Sequence, residues 1–133
     1  MTQEDIRELQ YRDLSSRLPY GVMVEVDGYG TSELKGIDNR TVSTERGINY
    51  PWMLARPYLR SLSSLSEEEQ IELGKLIGTA AYNMIKGHMS HLDALLVHVY
   101  KNHIDLFELI PKGLALEAPE GMYDLKSQKN RKI

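Results

Sequence analysis

The sequence predicts an α+β fold: an N-terminal helix, a small antiparallel sheet or SH3-like partial barrel, then a C-terminal helical pair with a short extra helix. Three observations carry this prediction. Period-two runs of β-branched residues, separated by glycine-rich turns, fill the stretch from Val22 to Arg56. Capping signals and apolar repeats of three and four residues fill the stretch from Ser66 onward. Between them, Arg56-Pro57-Tyr58-Leu59-Arg60-Ser61-Leu62-Ser63-Ser64-Leu65-Ser66-Glu67-Glu68-Glu69 marks the change from strands to helices.

Taken in order, Thr2 is the first helix N-cap, with Glu4 and Asp5 near the positive end of the helix dipole. Ile6, Leu9 and Leu14 form a partial apolar stripe through Ser16, and Pro19 ends the helix. Val22–Val26 alternates valine with Met23 and Glu25 and reads as a half-buried strand. Asp27-Gly28-Tyr29-Gly30 turns the chain into a second strand, Ser32–Asp38. Asp38-Asn39 turns again into a third strand, Arg40–Glu45, and Arg46-Gly47 into a fourth, Ile48–Arg56. Pro51 makes that fourth strand an edge or a bulged one, and Pro57 is expected to end strand pairing. Val22, Val24, Val26, Leu34, Ile37, Val42 and Ile48 are the expected core of the sheet, with the later helices covering one of its faces.

Ser66 with Glu69 has capping-box spacing and starts the second helix, whose apolar positions run from Ile71 to Ile85. Gly87 is the expected residue just past its end. Ser90 with Asp93 repeats the capping spacing for a third helix, buried through Leu92, Leu95, Leu96 and Val99. Asp105 is expected to cap a short helix through Leu109. Residues 1–125 read as a single α+β domain, 1–60 being a helix plus β part and 61–125 a helical part. Residues 126–133 read as a basic flexible tail.

Composition narrows the chemistry. At 133 residues without cysteine, the chain has length enough for a core and no thiolate, disulfide or cysteine zinc site. A formal charge of −3 exerts no long-range pull on nucleic acid or acidic membranes. Seven of the eight arginines nevertheless precede Ser61, interleaved with acidic residues. The polar start lacks the apolar run of a signal peptide, and no apolar stretch is long enough to span a bilayer. A cytoplasmic location is the expectation.

Two clusters are candidates for function. His88, His91, His98 and His103 fall within sixteen residues. Only His88 and His91 have helical metal-ligand spacing, and Gly87 places the helix start near them, while His91 and His98 stand about 10 Å apart along a helix. No metal or cofactor is expected, and His103 with Asp105 reads as a helix-end histidine beside a capping aspartate rather than a catalytic pair. The second cluster interleaves aromatic and cationic side chains over the strands: Arg40, Arg46, Trp52, Arg56, Tyr58 and Arg60 form the candidate binding surface. Aromatic platforms amid cations suit single-stranded nucleic acid, and equally a protein partner.

Leu14-Ser15-Ser16-Arg17-Leu18-Pro19-Tyr20-Gly21-Val22, the Arg56–Glu69 segment and Gly113-Leu114-Ala115-Leu116-Glu117-Ala118-Pro119-Glu120-Gly121-Met122-Tyr123 together resemble a group of short proteins encoded in prophage-like regions of gut anaerobic bacteria. Asn102-His103-Ile104-Asp105 sits where members often carry a histidine-rich helix end. The resemblance implies a bacterial or phage cytoplasmic origin and carries over no activity, cofactor or catalytic residue.

The function expected from the sequence is a non-enzymatic phage- or prophage-type accessory protein binding another macromolecule, most naturally a protein. The alternatives are nucleic-acid binding through the aromatic and arginine β face, and a metal-dependent hydrolase around the histidine-rich helices. No membrane partner is expected, and the 66–86 helix, with its small residues, offers a route to a homo-oligomer.

Overall fold

A computed structural model of the chain describes residues 2–38 and 40–123. Asn39 and the expected basic tail at 126–133 lie outside the described residues. Thr2 caps α1 (Gln3–Arg17) in a reciprocal box: its hydroxyl accepts from the Asp5 N–H, and the Asp5 carboxylate accepts from the Thr2 N–H. The residues that α1 buries are Gln10, Asp13, Leu14 and Arg17, three of them polar. This polar burial departs from the apolar stripe through Ile6 and Leu9.

The strands are β1 (Met23–Val26), β2 (Gly30–Ile37), β3 (Thr41–Thr44), β4 (Asn49–Pro51), β5 (Ala55–Leu59) and β6 (Leu116–Glu117). They form one sheet in the order β4-β3-β2-β1-β5-β6, antiparallel except for the β5–β6 pair. β2 shifts register between Leu34 and Gly36, where an added Cβ would lie 2.6 Å from the Ser43 hydroxyl. A residue with a Cβ at this bulge would have to displace that hydroxyl.

The expected fourth strand is two strands broken by a 3₁₀ turn at Trp52–Leu54. Pro51 lies in edge strand β4, as its missing N–H requires. Pro57, however, does not end pairing; it sits inside β5 opposite Val24. The reason is register. Asp27 donates to the Leu54 carbonyl at 2.9 Å, so hydrogen-bonded pairs alternate along β1 and skip Val24–Pro57. At the next bonded position, opposite Tyr58, the hydroxyl of Tyr123 is inserted, accepting from the Met23 N–H and donating to the Tyr58 carbonyl, each at 2.8 Å.

Two cores result. The first joins Leu14 of α1 to Val22, Val24, Val26, Leu34, Val42, Tyr50, Ala55 and Leu59 of the sheet, with Leu109 and Ala115. Ile48, expected there, is exposed, and Tyr50 takes its place because the strand begins one residue later. The second core lies between α2 (Glu67–Ile85) and α3 (Ser90–Lys101), where Leu73 and Ala80 meet Leu95 and Val99, closed by Leu65 and Ile104. The α2–α3 hairpin thus packs on itself, and α1 with the 106–115 segment, not α2 and α3, covers the sheet core.

Ser66 and Glu69 form the expected capping box at the start of α2. We expect Ser66→Ala to lower stability by about 1 kcal/mol in urea unfolding, since the Glu69 N–H loses the hydroxyl that accepts from it. Gly87 takes the left-handed conformation after Lys86, and the His88 and Gly87 N–H groups close the helix on Asn83 and Met84. Two expected end signals are not used. The N-cap of α3 is Met89, without a side-chain bond, and the segment after Asp105 is a run of turns rather than a short helix. Asp105 organises those turns by accepting from the Leu109 and Ile110 N–H groups at 2.7 and 3.0 Å.

Candidate functional site

The six residues of the candidate binding surface do not converge. Arg40 is exposed in the β2–β3 turn, its N–H held by Asp38. Arg46, in the β3–β4 turn, donates to the Tyr29 carbonyl at 2.6 Å. Trp52 is half-buried against the sheet core, with the Arg7 guanidinium 5.6 Å over its ring. Together with Ile6 and Met53 they line a shallow groove beside the start of α1.

Arg56, Tyr58 and Arg60 alternate along β5 with buried Ala55, Pro57 and Leu59 and so share the opposite side of that strand. Each is committed locally. Arg56 lies 3.7 Å from Asp27. The Tyr58 hydroxyl donates to Glu25 at 2.9 Å, and the bonds from Thr31 and Tyr58 hold the Glu25 carboxyl below the usual carboxylate range. Arg60 grips both carboxylate oxygens of Glu69 at 2.8 and 2.6 Å and donates to the Asn102 carbonyl. Burial pushes the Glu69 carboxyl up, but the Arg60 and Ser66 bonds outweigh it and lower its pKa. The arginines around Tyr58 therefore fasten β5 to its neighbours and to α2.

Strand β5 is also where distant parts of the chain meet. Arg60 donates from its N–H to His103 and accepts from Asp105, while Leu59 accepts from Ala118. Beside it lies a buried polar knot. Arg17 is fully buried, with Nε 3.0 Å from both Asp13 oxygens, Nη2 donating to the Ile104 carbonyl at 2.8 Å, and the Tyr100 ring 5.2 Å away. His103 takes a left-handed backbone, φ 58°, closing α3, and its ring stacks on Tyr123 at 3.7 Å. It is 1 % exposed, and burial followed by the Arg17 and Arg60 charges pulls its pKa down to about 4. His103 and Asp105 are both closed off from solvent and serve the backbone and the core. His88 and His91 are exposed, and His98 faces Asn102. Among the described residues, no three histidine or acidic side chains gather as a metal site.

The apolar surface lies elsewhere, on the α2–α3 hairpin. α2 turns Leu73, Leu76 and Ala80 toward α3. Its opposite side carries Ile71, Tyr82 and Ile85, which are 53, 60 and 88 % exposed. Met84 and Met89 near the hairpin tip and Val97 on α3 are exposed as well. Between the large side chains sit Gly74 and Gly78, where an added Cβ would meet nothing within 4 Å. Isolated exposed apolar residues are ordinary, but a contiguous patch marks a site of interaction. The sequence signal for it is that Ile71 and Ile85 fall about half a turn away from Leu73 and Ala80, so no single face of α2 can bury all four. No described helix is long and apolar enough to cross a membrane. No protein-family model, no curated protein and no solved structure matches this chain.

Proposed function

We propose that this chain is a non-enzymatic accessory protein of phage or prophage type, acting in the cytoplasm, that binds another protein through the outer face of the α2–α3 hairpin. The carrying observation is the exposed set Ile71, Tyr82 and Ile85 on the side of α2 that α3 does not cover. Removing aliphatic and aromatic side chains of this size from water drives protein association. Three of the four arginines that favoured nucleic acid, Arg46, Arg56 and Arg60, hold intramolecular partners at Tyr29, Asp27 and Glu69, which weakens that alternative.

Affinity capture from host cells, comparing wild type with the Tyr82→Glu/Ile85→Glu variant, tests the reading. Wild type is expected to retain protein that the variant loses, with both chains folded by circular dichroism. An identical captured set would overturn it. So would retention of nucleic acid alone that weakens steeply with added salt, the mark of phosphate contacts.

A further inference from the structure

The outer face of α2 is complementary to itself, and we propose that the protein it binds is a second copy of this chain, paired antiparallel along α2 about a two-fold axis at Gly78. This inference rests on the hairpin being a protein-binding surface and names the partner. At 3.6 residues per turn, Ile71, Gly74, Gly78, Tyr82 and Ile85 fall within about 80° of arc. Their order is symmetric about residue 78. In an antiparallel pair, the partner's Ile85 lies opposite Ile71, the partner's Tyr82 opposite Gly74, and Gly78 opposite its own copy. Each large side chain thus meets either another apolar side chain or a gap.

The glycines gain a reason in this arrangement. Inside one chain, Gly74 and Gly78 face open space, and glycine weakens a helix interior relative to alanine. Against a second helix, the same open space lets the axes approach and gives the Tyr82 ring a recess.

Charge supports the antiparallel direction. Glu68, Glu72 and Lys86 lie on one flank of the stripe, and among the described residues none of them forms an ion pair. The two-fold axis keeps that flank on the same side of both helices. Lys86 then comes level between the partner's Glu68 and the partner's Glu72, about 3 Å along the axis from each. Parallel pairing would instead carry that flank to opposite sides of the two helices, where Lys86 meets neither the partner's Glu68 nor the partner's Glu72. A self-complementary patch of this kind is the isologous contact of a two-fold dimer, the commonest closed assembly.

Light scattering on the full chain across a concentration series tests the proposal. The expected mass is twice the 15.2 kDa of the chain, falling toward one copy on dilution. Ile85→Glu is expected to weaken the dimer at least tenfold. Glu68→Lys and Lys86→Glu are each expected to weaken it several-fold, and the two together to restore it, because the swapped charges meet again across the axis. Gly78→Leu has room within the single chain and improves helix propensity, so it is expected to keep the thermal midpoint while losing the dimer. A single copy at every concentration overturns the proposal, as does a dimer indifferent to Ile85→Glu or a double swap that only adds the two losses. If the chain stays single yet the affinity capture still yields a hairpin-dependent protein of another kind, self-pairing falls while the protein-binding reading stands.

Discussion

Arg17→Met is expected to lower stability by about 3–5 kcal/mol, the usual consequence of removing one member of a buried ion pair. The change leaves the Asp13 carboxylate, only 4 % exposed, without its counter-charge. It also frees the Ile104 carbonyl and removes the cation over Tyr100. Arg17 joins the two cores, since Asp13 and Leu14 belong to the sheet side and Ile104 and Tyr100 to the hairpin side. The pair itself is a poor source of net stability. Burial, with the Asp105 charge adding to it, raises the Asp13 pKa despite the Arg17 charge and hydrogen bond that lower it, so the ionised pair is held at a desolvation cost. The double variant Asp13→Leu/Arg17→Met is therefore expected to lie within about 1–2 kcal/mol of wild type. Urea unfolding of the three variants checks this, and a double variant as unstable as the worse single one contradicts it.

Acid is expected to destabilise the protein through His103. Its pKa is about 4 in the folded chain against the ordinary value of 6.5, so the unfolded chain takes up the proton first. For a depressed pKa the contribution is fully present above pH 6.5 and is lost as pH falls through 4. The loss approaches about 3 kcal/mol, because each tenfold difference in proton affinity between the two states is worth about 1.4 kcal/mol. Carboxylates titrate over the same range, so the comparison is with His103→Asn, whose side chain tolerates the left-handed backbone and does not ionise. Wild type is expected to lose about 2–3 kcal/mol more than His103→Asn between pH 7.5 and pH 4.5. Parallel pH profiles for the two would show that the buried ring contributes nothing to acid sensitivity.

What was legible in the sequence was local. The Thr2 and Ser66 caps, the Gly28 turn and the Gly87 stop each depend on residues within four positions, and all appear where the sequence puts them. Pro57 was not legible in this way. Whether its missing N–H matters depends on the Val24 register, which no local pattern states. The spacing of His103 from Leu92, Leu95 and Val99 does mark it as a histidine at the edge of the core. Buried Arg17, however, was as hidden as Pro57, since its partner Ile104 comes from elsewhere in the chain. The arginine and aromatic cluster misled for the same reason. Interleaving along the strands said nothing of Asp27 or Glu69, which the fold brings beside Arg56 and Arg60. On α2 the apolar residues were visible, but periodicity alone could not tell which of two arcs α3 would cover.

Which surface meets a protein in the cell decides between the hairpin and the sheet, and site-resolved photo-crosslinking measures that directly. A photoreactive residue in place of Ile85 samples the hairpin face, and one in place of Tyr58 samples the arginine side of the sheet. Protein crosslinks are expected from position 85, including a species of doubled mass, and none from position 58. Crosslinks from position 58 with none from position 85 would contradict a hairpin interface.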